Sequence, residues 1–129
     1  MYEMKQEYFT GIKFIDDEHT RLFAIANECY ELLTNQFLPD KYDYIVNIIN
    51  ELKEYARYHF KHEEEYMGSI GYKRILSQKV AHNDFIEKID EYDSEKIDEN
   101  QKESLLELLD FLNTWLIEHI LKKDKQIVE

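Results

Sequence analysis

A chain of 129 residues with 34% charged and 43% hydrophobic side chains has the size and composition of one soluble globular unit, with room for a single apolar core. The 28 acidic residues outnumber the 16 basic ones and give a net charge of −12, which repels phosphate backbones and anionic lipid alike; neither nucleic acid nor membrane is an expected partner. Three glycines and one proline are too few for a many-stranded β fold and favour a few long helices. No apolar run follows a basic start at the N-terminus, so no secretory leader is expected, and no stretch reaches the ~20 apolar residues of a membrane span. Cys29 is the only cysteine and has no partner for an intramolecular disulfide, which fits a reducing cytoplasm.

In chain order, residues 1–15 read as an arm whose Tyr2, Tyr8, Phe9, Ile12 and Phe14 are apolar enough to pack on the bundle. A first helix is predicted over about 16–37, capped by Asp16 or Asp17 and stopped by Pro39; His19, Leu22, Phe23, Ala26, Cys29, Tyr30 and Leu33 form its stripe. A second, about 40–67, takes Asp40 as N-cap and Gly68 as left-handed terminator, with Ile45, Ile48, Leu52, Tyr55, Ala56, His59, Glu63 and Tyr66 facing inward. The third, about 72–92, carries Ile75, Gln78, His82, Phe85 and Ile89 on one face. Residues 93–104 are acidic and polar, and Asp98 with Gln101 reads as a capping box for a fourth helix over about 98–125, lined by Leu105, Leu108, Leu112, Trp115, Leu116, His119 and Ile120. Short connections between four amphipathic segments predict antiparallel neighbours: an all-α, up-down-up-down four-helix bundle with an N-terminal arm, in one domain over 1–129.

Four of the five histidines lie on these apolar stripes, one per helix. Each buried imidazole needs a hydrogen-bond partner or remains unsatisfied, whereas a metal ion satisfies several at once. His59 and Glu63 are four residues apart, roughly 40° around the axis, so both can face one centre. His119 and Asp124 are five apart, roughly 140°, and converge only where the helix end loosens. Trp115 and Phe85, a turn from candidate ligands, are expected to wall the pocket; His62 points to the other side of His59, and Glu64 and Glu65 read as a solvated face.

Between about residues 8 and 124 the chain resembles the hemerythrin family. Gly11, then Ile15-Asp16-Asp17-Glu18-His19 and Leu22-Phe23, is similar to the family's opening segment; His59-Phe60-Lys61-His62-Glu63-Glu64-Glu65-Tyr66-Met67 is similar to its HFxxEExxM; His82-Asn83-Asp84-Phe85 matches the second half of HxxxHxxF; and Trp115-Leu116-Ile117-Glu118-His119 with Asp124 matches WLxxH and HxxxxD. The resemblance implies two non-haem irons, one held by His19 and His59, the other by His82, His119 and whatever position 78 supplies. Glu63, Asp124 and an oxo or hydroxo oxygen would bridge them. It implies reversible binding of dioxygen or a similar small ligand at the iron with two histidines, by a carrier or store and not an enzyme, as a monomer or weak homo-oligomer.

One position departs from the family. Gln78 stands where the first histidine of the third helix is expected; the alternative register, with His82 first, would put the non-ligating Ile86 second. Gln78 is expected to contact the second iron directly or through water. The competing expectation is a two-iron enzyme or sensor acting on peroxide, nitric oxide or ferrous iron, with reactivity altered by Gln78. Ferritin-like enzymes are disfavoured, because no glutamate stands three residues before any histidine.

Overall fold

The computed structural model describes residues 4–92 and 94–128; Tyr2 and Asp93 lie outside that range. In chain order the helices are α1 (Lys13–Thr34), α2 (Tyr42–Ser69), α3 (Ile75–Asp90), the short α4 (Ser94–Glu99) and α5 (Gln101–Lys122), flanked by 3₁₀ turns at Gln6–Tyr8 and Asp124–Val128. The four long helices form the predicted up-down-up-down bundle, and no strand occurs among the described residues. None of these helices is long and apolar enough to cross a membrane.

The core is the sum of the apolar stripes. Leu22, Ala26 and Cys29 of α1 meet Ile45, Leu52 and Ala56 of α2 and Leu105, Leu108, Leu112 and Leu116 of α5, all buried. Burial pushes the Cys29 thiol up to about 12, and its Sγ lies 3.8 Å from the Leu105 carbonyl oxygen, as an inert small hydrophobe would. The arm packs through Tyr8, which is buried and stacks on Phe23, ring centroids 5.6 Å apart, whereas Phe9 is exposed and residues 13–15, expected in the arm, open α1.

Several helix ends differ from expectation: α3 spans Ile75–Asp90 and not about 72–92, and at other ends a polar side chain has a better use. Asp16 does not cap α1, which begins three residues earlier; its carboxylate accepts from the Thr10 amide (2.8 Å), the Thr10 hydroxyl (2.9 Å) and the Gly11 amide (3.0 Å). That lock needs a left-handed residue at the bend, and Gly11 supplies it with φ 88°. Asp16→Ala should therefore cost about 1–3 kcal/mol. Its melting temperature should fall by several degrees and residues 4–12 should become protease-sensitive, while metal content stays unchanged; an unaltered melting temperature would mean the arm is held otherwise.

At its other end α1 stops at Thr34 and not near Phe37, because the Asn35 side chain takes the Phe37 amide (2.9 Å). Asp40 accepts from the Tyr42 amide (3.1 Å) but stands two residues before the start of α2, so Lys41 and not Asp40 occupies the N-cap position. The left-handed terminator of α2 is Gly71 (φ 65°), not Gly68, since the helix continues to Ser69 and closes with the Tyr72 amide on the Met67 carbonyl. The polar segment before the last helix contains α4, anchored by buried Ile97. The Asp98–Gln101 capping box does not form: Asp98 lies within α4, and Gln101 turns away to bind the Lys41 amide (2.7 Å) and Asp40 (3.0 Å).

Candidate metal centre

The up-down order brings the start of α1, the end of α2, the start of α3 and the end of α5 to one end of the bundle. His19, His59, Glu63, Gln78, His82, His119 and Asp124 meet there, every one 5% exposed or less. The ligand-capable atoms fall into two groups: His19, His59, Glu63 and Asp124 in one, Glu63, His82, His119 and Asp124 in the other, with the atoms in each within 4.8 Å of one another. Glu63 and Asp124 belong to both.

Their two oxygens are divided between the groups. Glu63 Oε2 lies 3.4 Å from His59 Nε2 and 3.7 Å from His19 Nε2, while Oε1 lies 3.1 Å from His82 Nε2. Asp124 Oδ2 lies 3.0 Å from His19 Nε2, and Oδ1 3.0 Å from His119 Nε2. The awkward five-residue spacing is resolved because α5 ends at Lys122 and Asp124 opens a tighter 3₁₀ turn, which swings its carboxylate back towards His119.

Two carboxylates missed in the sequence orient the rings. Glu18 accepts from His59 Nδ1 (2.8 Å) with one oxygen and from His62 Nδ1 (2.9 Å) with the other. Glu64, expected to be solvated, accepts from His82 Nδ1 (2.9 Å), because α3 packs over that side of α2. A ring that donates through Nδ1 presents its Nε2 lone pair to the centre. Flat aromatic walls complete the site: Phe60 stacks on His82 (4.0 Å, 6°), Trp115 on His119 (4.2 Å, 12°), and Phe85 sits 4.5 Å from Trp115. Phe60, which the sequence places in the HFxxEExxM segment, was not expected among the walls.

The donors fit a cation and fit poorly without one. His19 Nδ1 and Nε2, Glu63 Oε2, Gln78 Oε1, His119 Nε2 and Asp124 Oδ2 are buried with no hydrogen-bond partner, although several lie at ion-pair distance from one another. The two of these atoms that lack even an ion-pair contact, His19 Nδ1 and Gln78 Oε1, cost roughly 1–3 kcal/mol each, a sizeable fraction of the ~5–15 kcal/mol stability of a typical domain. Imidazole and carboxylate together suit iron, zinc or manganese.

Without metal, protons must occupy the site. Burial pushes the His59 imidazole down, but hydrogen bonds to Glu18 and Glu63 outweigh it and carry it up to about 10; His19 is likewise raised, by Asp124 and Glu63 against burial. Burial pushes the Glu63 and Asp124 carboxyls up, and the facing imidazoles hold both below their ordinary values of 4.5 and 3.8. The raised imidazoles stabilise fully below 6.5 and lose that contribution as pH climbs towards about 10; the depressed carboxylates stabilise above 4.5 and lose it in acid. Metal-free protein should thus melt highest between about pH 5 and 6.5, and metal affinity should rise with pH because binding expels the imidazole protons. Thermal melts of chelated protein at pH 3.5, 5.5 and 9 check this; a melting temperature still rising at pH 9 would contradict it.

Residues 10–129 match the family model described as the hemerythrin HHE cation binding domain. The chain is 49% identical to a bacteriohemerythrin of Clostridium acetobutylicum over all of both chains, and 30% identical to one of Pseudomonas aeruginosa over 93% of this chain and 74% of the other. A hemerythrin of Themiste dyscrita is 30% identical over 86% of this chain and 77% of its own.

Proposed function

The chain belongs to the hemerythrin family, and on that premise we propose that it holds two non-haem irons and binds dioxygen reversibly, as a cytoplasmic carrier or store. The observation that carries the proposal is the sharing of Glu63 and Asp124 between two otherwise separate donor groups. His19 and His59 would hold one iron and His82 and His119 the other, with Glu63 and Asp124 shared between the two. When bound, a pair of ferrous ions supplies electrons that dioxygen takes up and returns.

The protein's own part is to hold and shield. Glu18 and Glu64 fix the His59 and His82 rings. Phe60, Phe85 and Trp115 line the centre with apolar surface, which disfavours charged by-products leaving the irons and so favours return of the ligand over turnover.

The test is repeated oxygenation of reduced, iron-replete protein followed by argon purging, with visible spectra throughout. The proposal expects one spectrum to appear and vanish through several cycles with iron content constant. Permanent oxidation in the first cycle, with peroxide or water released, would favour the enzyme reading.

A further inference from the structure

Gln78 is 1% exposed and lies one turn before His82 on α3. Its amide nitrogen donates to Asp124 Oδ1 at 3.1 Å, the same oxygen that faces His119 Nε2 at 3.0 Å. Its amide oxygen is buried with no partner. A carboxamide carries nitrogen and oxygen on opposite branches of one planar group, so an amide committed to Asp124 through nitrogen directs its oxygen elsewhere. What remains for each donor group is then the same: two imidazoles and two shared carboxylates.

Resting on the two-metal reading above, we propose that Gln78 is a positioning residue and not a ligand. It holds Asp124 through its amide N–H, and a coordination position of the second metal is left to an exchangeable protic ligand such as water, with Gln78 Oε1 as its hydrogen-bond acceptor. Two observations bear this out independently of the missing imidazole. The N–H bond gives Asp124, on a turn beyond the end of α5, its tie to α3. The unpartnered oxygen is an acceptor in a dry site, where an unmet acceptor is costly and a protic ligand within reach relieves it. Both metals then carry one exchangeable position, but the two differ: the one beside Gln78 faces an acceptor oxygen, which favours water over an anion.

Azide, a small anionic metal ligand, counts such positions. In oxidised iron-replete protein, calorimetric titration should find two azides per chain of unequal affinity. In Gln78→His the weaker one should disappear, because imidazole fills the position. Gln78→Leu should still bind two, the weaker more tightly than before, and should release its second iron to a chelator about 10–100-fold faster because Asp124 has lost its tether. A single azide on wild-type protein that carries two irons overturns the assignment, and so does a Gln78→Leu variant whose iron release is unchanged. Fewer than two irons in the wild-type protein would instead fail the two-metal reading, which iron analysis of the same sample reveals. Should Gln78→His not fold, the wild-type azide count decides alone.

Discussion

Glu63→Ala is expected to lose both metals at once. Its two oxygens face different histidine pairs, Oε1 towards His82 and Oε2 towards His59 and His19, so no other single side chain of α2 serves both groups. Altering a residue that merely orients a ligand typically weakens metal binding 10–100-fold, and removing a shared ligand should exceed the upper end of that range. The metal-free variant should also be less stable than metal-free wild type. His19 and His59 each lose one buried carboxylate partner and keep another, Asp124 and Glu18 respectively, so the cost should stay below the ~3–5 kcal/mol of a fully broken buried pair. Iron analysis and melting curves read both effects. A variant that still holds one iron would show that the two positions do not depend on a common carboxylate.

His59→Ala should divide what Glu63→Ala abolishes. His59 belongs to only one donor group, and Glu63, His82, His119 and Asp124 keep the other intact. Iron should fall from two to about one per chain, and reversible dioxygen binding, which draws its electrons from the pair, should vanish with the loss of one metal. The melting temperature should drop for two reasons: Glu18 loses one of its two imidazole partners, and less bound metal stabilises the folded state. His62→Ala, which removes the other partner of Glu18 without touching the centre, is the control and should keep both irons. Equal losses in the two variants would mean that His59 acts through Glu18 and not on a metal.

The stripes of the four helices were legible in the sequence because apolar residues recurring every three or four positions have one cheap solution, burial against each other. That four histidines lay on those stripes, one per helix, followed from the same periodicity. Helix ends were less legible. Asp16, Asn35 and Asp98 all carry side chains that cap or compete with backbone, and the choice depended on what Thr10, Phe37 and the α4 turn offered in three dimensions.

The orienting carboxylates were hidden for a different reason. In a chain with 28 acidic residues, Glu18 and Glu64 look like solvated surface, and only the packing of α2 on α1 and of α3 on α2 turns them to His59 and His82. The convergence of His119 and Asp124 contradicts ideal helix geometry and was anticipated through family resemblance alone; the early end of α5 at Lys122 supplies the physical cause. For Gln78 the sequence announced a missing imidazole but not the hydrogen bond to Asp124, which spans 46 residues and closes only once the C-terminal turn is in place.

The most direct measurement is the metal content of protein produced with abundant iron, since zinc competes strongly for imidazole and carboxylate donors. Two irons per chain, with no haem absorption, is the result that two donor groups sharing Glu63 and Asp124 predict. One iron or none in that material would contradict it.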